Sequence, residues 1–182
     1  MSKTSAQRAT YAAGVAAVAL ALSSMAYGDT AFEMKTSERD MFGSANVNAG
    51  EYEKGIQRLE RMTESVGQSY KMRVTAFTDL CVAHTMERNL ETAENYCRRA
   101  IETGWELGSG YNNLGVLNVA KGNYEAALRN FEQATQYRDG GLIAKRNLKR
   151  ARISLAAIRG IPTDQLAAND EGSSQGSPGQ GS

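Results

Sequence analysis

The feature that most constrains the fold is an internal repeat with a period of 34 residues. Residues 77–100, shifted by this interval, match residues 111–134. The matched pairs are Phe77 with Tyr111, Leu80 with Leu114, Cys81 with Gly115, Asn89 with Asn123, Ala93 with Ala127, Cys97 with Phe131 and Ala100 with Ala134. A repeat of this length is one supersecondary unit, which buries its apolar faces only when further copies stack on it.

Each copy predicts two amphipathic helices joined by a short turn. In residues 111–134, apolar and small side chains recur at intervals of three and four, which places them on one face of each helix. Gly115 and Ala127 are small enough to let the two helix backbones approach closely, while Leu114 and Phe131 fill the space beside them. The pattern therefore predicts an all-α fold.

A degenerate copy precedes these two, with a large-small pair at residues 42–43 and a turn at residues 49–52. It lies 38 residues before the next copy, so about one helical turn is inserted between Met62 and Phe77. We therefore expect the first helix of the second copy to extend backwards through Tyr70.

Residues 141–159 predict a further helix that caps the array. Its apolar residues step by three and four along one stripe, which consists of Ala144, Leu148, Ala151, Leu155 and Ile158. Lys and Arg occupy much of the remaining surface. One apolar face and one charged face are typical of a helix that closes the end of a repeat array.

In its period and in its turn and packing residues, the chain resembles the tetratricopeptide repeat family. The resemblance implies an α-solenoid of about three helix-turn-helix repeats within a domain of residues 31–159. The repeats would span about residues 36–69, 74–107 and 108–141, followed by a C-terminal capping helix at residues 141–159.

Both ends of the chain are predicted to lie outside this domain. Residues 1–26 follow the plan of a secretory signal peptide, with a basic start and an apolar run at residues 12–22. Cleavage is expected after Ala26, or else after Gly28; the alternative is an uncleaved anchor, for which the apolar run is shorter than the ~20 residues of a span. We expect a periplasmic or secreted protein. Residues 160–182, rich in Gly and Ser, predict a disordered tail.

Two cysteines in an exported chain favour pairing. Cys81 takes the small-residue position of one helix and Cys97 takes the aromatic position of the next helix in the same hairpin. Both side chains should therefore point into one interface, where a disulfide is geometrically reasonable. The alternative is two reduced, buried cysteines that act as small hydrophobic residues.

The sequence shows no catalytic apparatus. Its one histidine, His84, occupies the position that Asn46 and Asn118 occupy in the other copies, which indicates a packed polar residue rather than a metal ligand. There is no Gly-x-Ser-x-Gly motif, no phosphate-binding loop and no recognisable pair of catalytic acids. We therefore expect neither an enzyme nor a cofactor.

In proteins that this chain resembles, the first helices of successive repeats line a concave groove that holds extended peptides or helices. The equivalent positions here are Ser37, Asp40, Ser44, Val47 and Asn48, then Thr75, Thr78, Val82, Thr85 and Met86, and finally Ser109, Asn112, Val116, Val119 and Ala120. This surface carries almost no charge, so it suits main-chain hydrogen bonding and modest apolar contact better than an ionic ligand. The carboxylate clamp of some family members is not predicted, because only Asn113 and Arg146 match its positions.

Charge separates two hypotheses about function. Without Lys3 and Arg8 of the signal peptide, the 21 basic residues become 19, against 20 acidic residues, which argues against a nucleic-acid binder. We therefore expect a non-catalytic protein–protein interaction scaffold of the cell envelope, with a protein or peptide segment as its partner. The alternative is binding of an anionic polymer, lipid headgroup or small ligand by a basic cap face, which could equally be a solvated surface. That face consists of Lys145, Arg146, Lys149 and Arg150.

Overall fold

The computed structural model describes residues 31–37, 43–64, 67 and 69–162. The chain divides into two units, Met1–Phe32 and Glu33–Ser182, and only Ala31 and Phe32 of the first unit are described. The described part of the second unit is helical, without strands, as predicted. Its helices are α1 (Ser44–Asn48), α2 (Tyr52–Glu64), α3 (Tyr70–Met86), α4 (Leu90–Glu102), α5 (Leu107–Ala120), α6 (Tyr124–Ala134) and α7 (Gly141–Ile158).

Several sequence predictions fall outside these residues. They are the signal peptide at residues 1–26, nearly all of the tail at residues 160–182, and Asp40. Within the described residues, no helix combines the length and the apolar character that a membrane span requires.

The hairpins α1–α2, α3–α4 and α5–α6 share one turn geometry. Each connection has three residues, and the N–H of its third residue donates to the carbonyl five residues earlier. These bonds join Glu51 to Asn46 (2.8 Å), Asn89 to His84 (2.9 Å) and Asn123 to Asn118 (2.8 Å). The middle residue has a positive φ, 77° at Gly50, 64° at Arg88 and 78° at Gly122. This left-handed ending satisfies the last carbonyls of the first helix and lets the chain reverse.

Each helix packs against its neighbours in the chain, and four of the helices also form a layer. Each helix contacts the next along the chain, from α1 to α7. In addition, α1 contacts α3, α3 contacts α5, and α5 contacts α7. The first helices of the three hairpins and α7 therefore lie side by side, and we call them the α1-α3-α5-α7 layer.

The long α3 helix confirms the predicted insertion before the second copy. The helix begins at Tyr70, where the Ser69 Oγ accepts a hydrogen bond from the N–H of Met72 at 3.3 Å. A side-chain oxygen at this position satisfies one of the amides that a helix start leaves unpaired.

Two sequence predictions about the ends of the array were wrong. A helix was expected from about residue 36, but residues 33–37 are not helical and α1 begins only at Ser44. On α7, Ala144 and Ala151 are buried, whereas Ile158 is 64% exposed. Ala156, two residues earlier, is buried, so the buried face of the last turn differs from the predicted apolar stripe, which is buried only in part.

The α5–α6 hairpin is held by a glycine under an aromatic ring. A Cβ added to Gly115 would lie 2.5 Å from Cε1 of Phe131, whose side chain is fully buried. Because Gly115 has no side chain, the Phe131 ring of α6 can lie directly against the backbone of α5.

The α3–α4 hairpin has a disulfide at the equivalent positions, 34 residues earlier. Cys81 and Cys97 are bonded, with their Cα atoms 4.9 Å apart, and both are buried. The predicted pairing is confirmed. A covalent bond thus joins the two helices at the place where the next hairpin uses glycine and phenylalanine.

We expect Gly115→Ala to destabilise the protein, by about 1–3 kcal/mol, because the new methyl group would overpack against the Phe131 ring. The gain in helix propensity, about 1 kcal/mol, works in the opposite direction and offsets part of the overpacking cost. Urea denaturation measures the effect. Gly141→Ala is the matched control, since a Cβ there meets only the carbonyl of Thr135 at 3.5 Å; equal stability of the two variants would contradict the prediction.

Removal of the disulfide by Cys81→Ala with Cys97→Ala is expected to lower the free energy of unfolding by about 3 kcal/mol. The bond closes a loop of about 15 residues and so lowers the conformational entropy of the unfolded chain. The unfolded variant regains this entropy. Urea denaturation of the variant and the parent protein measures the difference. Thiol titration of the denatured, unreduced parent protein should find no free thiol, and two free thiols would show that the bond is absent.

Candidate functional site

Residues 33–37 cross the α1-α3-α5-α7 layer as a non-helical segment that is held by its main chain. The N–H of Lys35 donates to Oδ1 of Asn113 at 2.8 Å, and Nδ2 of Asn113 donates to the carbonyl of Lys35 at 2.7 Å. Asn147 binds Glu33 in the same way, accepting from its N–H at 3.0 Å and donating to its carbonyl at 2.7 Å. Two carboxamides therefore satisfy both main-chain groups of two alternate residues.

A third side chain completes this series. Oδ1 of Asp79 accepts the N–H of Ser37 at 2.8 Å, and its Oδ2 accepts the hydroxyl of Ser44. Asp79, Asn113 and Asn147 follow one another at the repeat interval of 34 residues, on α3, α5 and α7, and all three are fully buried. We call these three residues the polar ladder.

The chemistry of the polar ladder matches a main chain. A carboxamide offers a donor and an acceptor, which are the complements of one carbonyl and one N–H, whereas a carboxylate only accepts. Asn113 and Asn147 accordingly bind both groups of a residue, and Asp79 accepts from an N–H and a hydroxyl.

A second row of side chains lies one position before the polar ladder, at Thr78, Asn112 and Arg146. Nδ2 of Asn112 donates to the carbonyl of Glu33 at 2.9 Å, and its Oδ1 accepts from Asn147 at 2.8 Å. Thr78 is buried, and its Oγ1 has no hydrogen-bond partner among the described residues. The main-chain carbonyl of Glu33 therefore accepts two hydrogen bonds, one from Asn112 and one from Asn147.

The carboxylate of Glu33 is bound by two guanidinium groups of α7. Arg146 contacts both oxygens, with Nη2 at 2.6 Å from Oε2 and Nε at 3.1 Å from Oε1, while Nη1 of Arg150 lies 2.8 Å from Oε1. The hydrogen bonds from Arg146 and then from Arg150 lower the pKa of Glu33 to about 2. Bidentate pairs of this kind are among the strongest hydrogen bonds in proteins.

The other side chains of the segment also have defined surroundings. Met34 packs against two buried clusters, one that contains Leu59 and Leu80 and one that contains the disulfide. Thr36 donates to Asn48 Oδ1 at 2.8 Å. The ammonium group of Lys35 donates to the main-chain carbonyl of Asp139, whose carboxylate accepts the N–H groups of Gly108 and Ser109 at the start of α5.

The structure brings some predicted groove residues to the segment and places others elsewhere. Thr75 accepts a hydrogen bond from Ser37 Oγ at 3.1 Å, and Asn112 binds Glu33. Ser109 bonds to Asp139 instead. The remaining positions differ in burial: Thr78, Val82 and Val116 are buried, Val119 is half-buried and Met86 is half-exposed.

Ser37 was predicted to lie on a groove helix, and this was wrong. Ser37 is the last described residue of the non-helical segment, and its N–H donates to Oδ1 of Asp79 on α3. The chain's own segment therefore contacts the surface that was expected to receive a partner.

The predicted basic cap face divides into two pairs. Arg146 and Arg150 bind Glu33, whereas Lys145 and Lys149 are exposed and form no ion pair with a described residue. The two arginines thus belong to the same site as the polar ladder. The sequence analysis had assigned them to a basic face separate from the groove.

Sequence reasoning missed Asp79 and Asn147 and gave little weight to Asn113. The signal was present, because the repeat interval links Asp79 to Asn113 and, continued into the capping helix, links Asn113 to Asn147. Polar residues at one repeat position, on the face of the helix that should be buried, indicate a shared polar ligand.

His84 is packed as expected. Its ring stacks on Tyr96 with centroids 5.4 Å apart, and burial lowers its pKa, although Oε1 of Glu60 lies 3.6 Å from its Nε2. No group of three or more His, Cys, Asp or Glu side chains that could hold a metal ion occurs in the described part of the chain.

No protein-family model matches this chain, and no curated protein matches its sequence.

Glu33 is expected to contribute to stability in a pH-dependent way. Because its pKa falls from 4.5 to about 2 on folding, the contribution is complete above pH 4.5 and is lost as the pH falls towards 2. The carboxylate is partly exposed, so we expect only ~1 kcal/mol. The measurement is the unfolding free energy of the parent and of Glu33→Gln between pH 7 and pH 2.

The two curves should differ at neutral pH and converge in acid, where the parent carboxyl is protonated. The charged groups that face Glu33 are Arg146 and Arg150, which remain charged throughout this range. A constant difference between the curves would show that the ion pairs do not stabilise the fold.

Proposed function

We propose that this protein is a non-catalytic peptide-binding module, in which the polar ladder receives the main chain of an extended segment of a partner protein. The helices would form a solenoid of three hairpins of the tetratricopeptide type, closed by α7. The observation that carries this proposal is the set of hydrogen bonds in which the N–H groups of alternate residues of one segment donate to Asp79, Asn113 and Asn147.

The burial of the polar ladder supports a binding role. A polar side chain buried without a partner costs free energy, and an apolar residue of similar shape would often serve the core as well. Asn113 and Asn147 nonetheless lie fully buried on α5 and α7, and both main-chain partners of each come from the segment. Their positions are therefore suited to a main chain that lies across the helices.

Main-chain binding also suits a protein partner. An extended peptide exposes N–H and C=O groups at a regular two-residue interval, whatever its side chains are. Strand addition to a sheet edge gains affinity in the same manner, with side-chain pockets adding specificity. The groove positions were predicted from the sequence to favour main-chain hydrogen bonding, which agrees with the binding of an extended main chain.

We also propose that the protein acts in an oxidising compartment, as an exported component of the cell envelope. The Cys81–Cys97 bond supports this location, since disulfides persist outside the reducing cytosol. The basic, apolar and small-residue plan of residues 1–26 supports the same proposal.

Binding of an anionic polymer, lipid headgroup or small ligand by the basic cap face is a weaker candidate. Arg146 and Arg150 already bind a carboxylate of the chain, and of this face only Lys145 and Lys149 form no ion pair with a described residue. The arginines fit an acidic side chain within a bound segment better than a polymer surface.

A displayed library of ten-residue peptides, panned against full-length Lys35→Pro protein, tests the proposed function. Proline at this position removes the N–H that Asn113 accepts, so the internal segment should be bound more weakly. Enriched peptides should bind about 5 to 150 times more weakly after Asn113→Ala, which removes two hydrogen bonds of about 0.5–1.5 kcal/mol each.

The matched control is Asn123→Ala in the same background, because Asn123 is exposed and its side chain makes no capping hydrogen bond. This variant should bind the enriched peptides as its parent does. A library without enriched peptides, or peptides equally affected by both substitutions, would exclude a ladder that binds main chains.

A further inference from the structure

The site of Glu33 selects a negative charge. Two guanidinium groups surround its carboxylate, with three N–O distances between 2.6 and 3.1 Å for Arg146 and Arg150 together. A neutral residue there would leave both arginines without their partner, and a basic residue would be repelled. An acidic residue is therefore preferred at this position of any segment that lies on the polar ladder.

The next residue is apolar. Met34 packs on the outside of the two buried clusters, and all fully buried members of those clusters lie in helices. Met34 thus covers apolar surface of both clusters and is itself only partly buried. A polar side chain at this position would leave that surface in contact with water.

The residue four positions after the acid is small and carries a hydroxyl group. Ser37 is only 6% exposed, and its Oγ lies 3.1 Å from both Thr75 Oγ1 and Glu106 Oε1. A larger side chain would have to displace these neighbours. By contrast, Lys35 and Thr36 are only partly buried. The Lys35 ammonium donates to a main-chain carbonyl, and the Thr36 hydroxyl donates to the exposed side chain of Asn48.

None of these contacts depends on the segment being part of the same chain. The segment forms its main-chain hydrogen bonds with side chains of α3, α5 and α7, which accept from its N–H groups. A segment of another protein with the same pattern could make them equally well. A tethered occupant nevertheless competes at an effective concentration on the order of millimolar, which a partner must overcome.

We propose that the groove selects an extended segment with the pattern acidic, apolar, any, any, small hydroxyl, and that residues 33–37 are an internal copy of this ligand, which the partner displaces. The bound segment runs from α7, where the acid lies, to α3, where the hydroxyl lies. This inference rests on the proposed function and specifies the chemistry of the partner.

The first test measures displacement with a fluorescent peptide that contains residues 33–37 between pairs of glycines. Fluorescence anisotropy gives its dissociation constant for the full-length parent and for full-length Lys35→Pro. Weakening the internal copy should increase the affinity at least about tenfold. Should Lys35→Pro fail to fold, Glu33→Lys frees the arginines by a different route, and the same increase is expected.

The second test measures selectivity in the Lys35→Pro protein. Peptides that carry Glu33→Lys or Ser37→Val should bind at least about tenfold more weakly, whereas the matched Thr36→Ala peptide should change by less than about threefold. Protein with Arg146→Glu and Arg150→Glu should instead prefer the Glu33→Lys peptide, a reversal that a merely structural effect would not produce.

The outcomes separate this proposal from the proposed function. Binding that requires Asn113 but is indifferent to Glu33 and Ser37 of the peptide would overturn the selectivity and leave main-chain binding in place. A folded Lys35→Pro protein that binds library peptides but not this one would overturn the internal copy. Exchange of the segment between two protein chains, seen as a dimer by size-exclusion chromatography, would assign the groove to a second copy and overturn the displacement by a partner.

Discussion

The structure depends on the pairing of buried side-chain amides with the main chain of a distant segment. Asn113 and Asn147 are fully buried on two adjacent helices, and a buried amide without partners would destabilise the layer in which it lies. The segment at residues 33–37 supplies these partners and gains its own, since it has no helix of its own in which to bond. The stability of the layer and the position of the segment are therefore coupled.

The parts of the fold that the sequence predicted are those encoded by neighbouring residues. The turn at Asn89 repeats at Asn123, and the Cys81–Cys97 pair lies within one hairpin, so the 34-residue comparison was sufficient to place them. Tyr70 was also placed correctly, because an insertion of about one turn lengthens a helix without changing its face. Such features need only periodicity and the small menu of turns between helices.

The site was predicted only in part, because its contacts join residues that no local pattern connects. Thr75 and Asn112 were expected in the groove, but Lys35 binds Asn113 across 78 positions, and Glu33 binds Asn147 across 114. The resemblance to a tetratricopeptide repeat assigned residues near 36 to a helix, while long-range hydrogen bonds hold residues 33–37 in a different conformation. The spacing of Asp79, Asn113 and Asn147 was visible, yet without the segment it did not indicate which ligand they share.

The sequence separations of these contacts also determine the order in which the fold can form. Hairpin contacts such as Cys81 with Cys97 close short loops, whereas the segment joins residues 42, 78 and 114 positions apart. Loop closure costs more entropy as separation grows, so the helices can assemble before the segment docks. Its release would break the packing of Met34 and these long-range hydrogen bonds but no helix, which would make it a local opening rather than global unfolding. Amide hydrogen exchange at Lys35 would therefore report how often the segment leaves the polar ladder while the helices remain folded.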